Sequence, residues 1–327
     1  MGRRIVVALL VLVIVGAAVW LLGPRVPVDT TVTFDGSTIG DDTEAYLASR
    51  ESSVANIRPD HQKEVIWADP SARAKTPLAI VYVHGFSASK FEVRPLPDRI
   101  ATALGANLYF TRLTGHGQDG PAMATASVNA WVNDYAEALS IGRAIGERVV
   151  VIATSSGGSI ASWAATDPAF ATQVAALVLI SPNYGVRAAG ASLLTGPWGR
   201  QLAGLLIGPE RGFEPANELH ARYWTYRYPT VALLPMGAVT ELAYDSPVER
   251  SKVPALFVFS DADTVVRAER TREIAGRWGA IHESVSVETS GDPSNHVIAG
   301  DALSPSTTQP LADAIVAWLR VSVDQIN

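Results

Sequence analysis

The chain has 327 residues, with 26 Lys plus Arg against 32 Asp plus Glu, a formal net charge of −6 and no cysteine. That length suits one well-buried domain, and the mild acidity without a basic stripe argues against a nucleic-acid partner. The missing cysteines exclude disulfides, thiol catalysis and cysteine-ligated zinc. With no H-E-x-x-H spacing, dinucleotide-binding glycine turn or Walker loop, no metal or cofactor is implied.

The first feature along the chain is an uninterrupted apolar run from Ile5 to Leu22, preceded by Arg3 and Arg4. As a helix its eighteen residues reach about 27 Å, near the hydrocarbon thickness of a bilayer, and Trp20 suits the interfacial belt. Residues 1–23 therefore read as an uncleaved membrane anchor with the arginines in the cytoplasm and the rest of the chain outside it, in a periplasm or on the cell surface. The alternative is a signal peptide cleaved close to Ala18, after the small residues at 15–17, and secretion. Residues 24–40 are expected to be a linker and 41–327 a single domain. Residues 42–54 read as an amphipathic helix packed on it.

From residue 65 onward, strand-like runs at 65–67, 78–83, 107–112, 149–153, 176–180, 255–260 and 283–288 alternate with helical patterns at 97–104, 128–145, 158–165, 268–278 and 310–321. Such alternation predicts an α/β fold, a mostly parallel sheet with helices on both faces. The run at 78–83 ends in His84-Gly85-Phe86. The run at 149–153 ends in Ala153-Thr154-Ser155-Ser156-Gly157-Gly158 and turns into a helix, the pattern of a nucleophile elbow in which a serine sits on a strained turn above the sheet. Ser155 is the candidate nucleophile; the rival register, Ser156, would put Thr154 at a tight position. Oxyanion donors would be the backbone N–H groups of Phe86 and Ser156.

Residues 184–250, approximately, break the strand-helix rhythm: they are too long for a simple connection and too apolar for a disordered one. Some of their leucines and aromatics, Leu206 and Trp224 among them, are expected to line an apolar pocket. The run at 255–260 ends with Asp261 and Asp263 as competing acids, Asp263 fitting best just before Thr264-Val265-Val266. His296 follows the last strand and a polar loop, from which it can swing toward the serine.

The order Ser155, Asp263, His296 is the one α/β-hydrolases use. From about residue 77 to 319 the chain resembles α/β-hydrolases of the bacterial carboxylesterase and monoacylglycerol-lipase type, on His84-Gly85-Phe86, Leu113-Thr114-Gly115-His116-Gly117, the Trp131-to-Asp134 spacing, the elbow, Asp263 and His296. The resemblance implies an α/β-hydrolase fold with an inserted helical cap at 184–250. It also implies a Ser155-His296-Asp263 triad cleaving a small apolar carboxylic ester through an acyl-enzyme, and a structural role for His116. An amide or peptide hydrolase, or a non-hydrolytic protein on the same fold, are the alternatives. Chain-length preference and oligomeric state are left open.

Overall fold

The computed structural model describes residues 2–324. It begins with α1 (Gly2–Leu21) and α2 (Thr43–Ser52), then runs β1 (Glu64–Ile66), β2 (Thr76–Val83), α3 (Leu96–Leu104), β3 (Asn107–Phe110), α4 (Val128–Ile145), β4 (Gly146–Thr154), α5 (Ser156–Ala164), α6 (Pro168–Ala171) and β5 (Ala176–Ile180). An inserted region follows with α7 (Gly199–Leu206), β6 (Glu210–Gly212), α8 (Glu218–Tyr223), β7 (Arg227–Pro229) and α9 (Leu233–Tyr244). The fold closes with β8 (Ala255–Phe259), α10 (Ala268–Arg277), β9 (His282–Ser286) and α11 (Pro305–Asp324).

Seven strands form one sheet in the order β1-β3-β2-β4-β5-β8-β9, parallel except for β1. Unbroken apolar runs, 78–83 in β2, 149–153 in β4 and all of β5, fill its centre because both faces are covered there. Along β2 and β4, Ala79, Val81, Val83, Val149, Val151 and Ala153 face α4, α5 and α10, while Ile80, Tyr82, Val150 and Ile152 face α3 and α11. Edge strand β9, by contrast, has exposed or half-buried residues throughout.

The strand order dictates where a site forms. From β2 the chain winds one way to β3 and then the other way through β4, so the loops leaving the carboxyl ends of β2 and β4 diverge and open a crevice. Val83 of β2 pairs with Ala153 of β4, so the two strands end level and their following loops start side by side.

Two segments differ from the sequence expectation. Part of the expected linker docks on the body: the Thr33 and Phe34 N–H groups donate to Asn133 Oδ1 on α4 at 2.7 and 2.8 Å, and Ile39 is buried. Helix α11 starts at Pro305, five residues before the expected Pro310. Proline at a first helical position misled that boundary; hydroxyl bonds from Ser304 to Val297 O and from Thr307 to Ile298 O fix the earlier start. Helix α1 is exposed along its length, and its far end meets the inserted region, where Trp198 Nε1–H donates to Val19 O at 2.9 Å and Trp198 N–H to Pro24 O at 2.8 Å.

Candidate active site

Ser155 sits between β4 and α5 with φ 50° and ψ −118°, a backbone conformation that a residue with a Cβ adopts only under strain. Three backbone bonds hold it there. Its N–H donates to Ile180 O at 2.9 Å, and its carbonyl accepts from Asn183 and Ser159 at 3.0 and 3.1 Å. The glycines that follow are demanded by neighbours in space. A Cβ on Gly157 would lie 2.5 Å from Val83 O and 2.6 Å from His84 O, and one on Gly158 would lie 2.9 Å from Pro182 Cβ. The helix can therefore start close against the end of β2 only because these positions have no side chain.

Between the two competing serines the hydrogen bonds discriminate. Ser155 Oγ is 3.0 Å from His296 Nε2, whereas Ser156 Oγ is buried without a partner among the described residues. His296 Nδ1–H donates to Asp263 Oδ2 at 2.7 Å. Asp263 is itself held by the N–H groups of Val265 and Val266 on its Oδ1, at 2.7 and 2.9 Å. Asp261 points elsewhere, exposed and ion-paired with Arg272. Serine, imidazole and carboxylate thus form a continuous row in which the acid fixes the imidazole tautomer that leaves Nε2 free to accept the serine proton. Burial penalises the charged form of His296, but the Asp263 charge and hydrogen bond, with Glu92 and Asp292 adding to them, outweigh it and raise the imidazole above its usual range.

The loop after β2 faces this row. Phe86 N–H and Ser156 N–H donate to no acceptor among the described residues. A histidine pair braces that loop from behind. His84 Nε2 accepts the Leu113 N–H at 3.1 Å, and His116 Nε2 accepts the Ser87 N–H at 2.9 Å. Asp134 Oδ2 accepts the Thr114 N–H at 2.6 Å and Trp131 Nε1–H donates to Thr114 O at 3.0 Å. His116 is therefore a strut beneath the loop. Burial holds its pKa down at about 4, so it stays neutral and able to accept at physiological pH.

Two carboxylates at this site were not singled out from the sequence. Asp292 accepts the N–H groups of Ser294, His296 and Val297 at 3.0, 3.1 and 2.9 Å, an Asx-type turn that sets the path of the histidine loop. Its place in Asp292-Pro293-Ser294-Asn295 is turn chemistry that the sequence does display. Glu92 is buried farther along the loop after β2, accepting the Gly85 N–H at 2.6 Å, and nothing in the sequence around it signals this.

The row opens on a cavity of about 710 Å³. Phe86, Ser155, Ser156 and His296 line its floor; Leu193, Leu194, Leu202, Leu206, Trp224, Tyr228 and Met236 supply apolar wall from the inserted region, with Arg187 and Arg211 also on its surface. Of these arginines, Arg187 is paired with Glu269 at 3.1 Å. Among the other apolar residues of the insertion, Leu234 and Val239 pack in the main core instead.

Fold and site geometry together define the α/β-hydrolase class. A model of the Alpha/beta hydrolase family matches residues 80–306, and the chain belongs to that family. The chain is 26% identical over 201 residues to a thermostable monoacylglycerol lipase of Bacillus sp. (strain H-257), covering 61% of this chain and 76% of that one. Its fold is similar to that of the metagenome-derived lipolytic enzymes LipS and LipT (TM-score 0.66, 20% identity, 81% of this chain and 100% of that one). It is also similar to the monoglyceride lipase of Saccharomyces cerevisiae, solved as a soluble variant with a substrate analogue (TM-score 0.58, 12% identity, 80% and 91%).

Proposed function

We propose that this protein is a serine hydrolase of uncharged carboxylic esters, monoacylglycerol-like in character, held at a membrane by α1. The observation that carries the reading is the Ser155–His296–Asp263 row, at 3.0 and 2.7 Å, opening on a cavity walled by leucines and aromatics.

A free serine hydroxyl is a weak nucleophile at neutral pH, so the proton must leave as the bond forms. His296 Nε2 takes it while Ser155 Oγ attacks the ester carbonyl, and Asp263 stabilises the imidazolium that results. The Phe86 and Ser156 N–H groups meet the developing oxyanion, each worth about 3 kcal/mol by comparison with measured oxyanion holes. Collapse breaks the bond to the alcohol, which leaves with the proton from His296. Water repeats the sequence on the acyl-enzyme and releases the acid. The apolar wall favours an acyl chain because each buried methylene contributes about 0.8 kcal/mol, whereas an unpaired charge in the same space costs more.

α1 supports the location. It is a 20-residue apolar helix with no buried residue. A helix of that length spans the hydrocarbon layer. With Arg3 and Arg4 inside, the catalytic domain lies outside the cytoplasm. Labelling with a fluorophosphonate, followed by peptide mass analysis, tests the chemistry. One adduct on the peptide holding Ser155 is expected; no adduct, or an adduct elsewhere, overturns the reading. A panel of p-nitrophenyl esters beside a monoacylglycerol and an aminoacyl anilide tests the substrate class, and fastest cleavage of the anilide would make the protein a peptidase.

A further inference from the structure

Glu92 lies on the loop between β2 and α3 and is 2% exposed. Its Oε2 accepts the Gly85 N–H at 2.6 Å and the Tyr82 hydroxyl at 3.0 Å, and the Tyr82 oxygen is in turn 3.2 Å from Thr154 Oγ1. A chain of contacts thus runs from the residue before the oxyanion donor Phe86, through Glu92 and Tyr82, to the residue before Ser155. The packing along it is close: a Cβ on Gly85 would lie 2.6 Å from Glu92 Oε1 and 2.9 Å from Ser155 Cβ. Glu92 also borders the cavity with Phe86, Ser155 and His296.

A buried carboxylate is expensive unless a cation or several donors satisfy it. The cations on its own loop are engaged elsewhere, Lys90 and Arg94 both pairing with Glu64. The titratable groups that face it are Tyr82 from β2 and His296 from the loop after β9, and Asp263 and Asp292 act on the same imidazole. A glutamine would accept the same N–H without the desolvation of a charge, so the hydrogen bond alone does not account for a carboxylate here.

We propose that Glu92 is a positioning residue for ester cleavage, holding the Gly85–Phe86 peptide against the Ser155 elbow and, as an anion, making His296 a stronger base. The role is not catalytic in the strict sense: no bond forms or breaks at Glu92, and the proton still passes from Ser155 Oγ to His296 Nε2. Burial pushes the Glu92 carboxyl up to about 7, against the lowering effects of the Gly85 N–H, His296 and the Tyr82 hydroxyl. The two groups therefore titrate together, and the acid limb of the rate profile belongs to the pair.

The inference rests on the Ser155 hydrolase reading, and two variants of the full chain in detergent separate the two. Glu92→Gln keeps an acceptor for Gly85 but removes the charge. An anion beside His296 raises its proton affinity, so the acid limb of kcat/KM should move to lower pH in this variant. Glu92→Asp keeps the charge but shortens the reach; kcat should fall about tenfold or more, the size of effect when an oxyanion donor is misaligned, with KM nearly unchanged and the acid limb close to wild type. Fluorophosphonate labelling at Ser155 confirms an assembled site in each preparation, and either variant alone is decisive. A wild-type limb in Glu92→Gln, or wild-type kcat in Glu92→Asp, overturns the role of Glu92 while leaving the hydrolase intact. Failure of the wild-type protein itself to label overturns the hydrolase reading instead.

Discussion

The sheet body and helix α7 of the inserted cap are built to different tolerances. In the body, β5 and the carboxyl-terminal parts of β2 and β4, 79–83 and 149–154, bury every side chain, and the glycines beside Ser155 have main-chain oxygens and a proline where a Cβ would go. In the cap, Leu205 and Leu206 on α7 are 80% and 64% exposed, and Gly204 has open space around it. The candidate catalytic row is thus fixed by close packing, as are Leu194, Trp224, Tyr228 and Met236 on the cavity wall, while α7, which adds Leu206 to that wall, is loosely held. Chemistry needs atoms placed to fractions of an ångström, whereas accommodating an apolar chain needs area more than placement.

That contrast can be broken most forcefully at Ser155. Ser155→Ala should lower esterase turnover by about 10⁴-fold or more while circular dichroism stays unchanged, and Ser156→Ala, contributing only a backbone N–H, should keep most activity. The reverse result would move the nucleophile by one residue. Next, Asp263→Asn should lower kcat by about 10⁴-fold through the wrong imidazole tautomer. Asp261→Asn, which breaks only an exposed pair, should change kcat by less than about twofold; steady-state kinetics on both decides between them. A stability pair sharpens the comparison further. Gly157→Ala forces a methyl against Val83 and His84 carbonyls and should destabilise by about 1–3 kcal/mol in urea unfolding, whereas Gly204→Ala should stabilise α7 by up to about 1 kcal/mol. The smallest effect is expected from Leu206→Glu. It should flatten the roughly fourfold gain per added acyl methylene that full burial gives, with little change on the acetate ester; an unaltered chain-length series would remove Leu206 from the acyl wall.

What the sequence disclosed follows the same division. The strands at 149–153 and 176–180 were legible because strands covered on both faces become unbroken apolar runs, and 176–180 coincides with β5. The elbow, Asp263 and His296 could be proposed as a candidate site because parallel strands deliver their loops to one edge, so position at a strand end is itself information. The contacts that depend on three-dimensional approach were not. Glu92 lies seven residues beyond Gly85 in an irregular loop, and its partner Tyr82 looks in the sequence like any strand aromatic. The docking of residues 33–39 on α4 joins burial of Ile39 to Asn133 Oδ1, which accepts from two backbone amides 100 and 99 residues away, and no local pattern announces either contact. Within the cap, short helices separated by turns give periodicity too little length to register.

The backbone angles of Ser155 set the proposed function against stability at a single residue. A side chain held at φ 50° and ψ −118° stores of the order of 1–3 kcal/mol that the surrounding sheet must supply. Alanine at this position would retain the Cβ and with it the strain, whereas glycine would shed it. Ser155→Gly should therefore unfold at a higher temperature than Ser155→Ala despite the entropy glycine loses on folding, and selection for thermal stability alone would erase the candidate nucleophile.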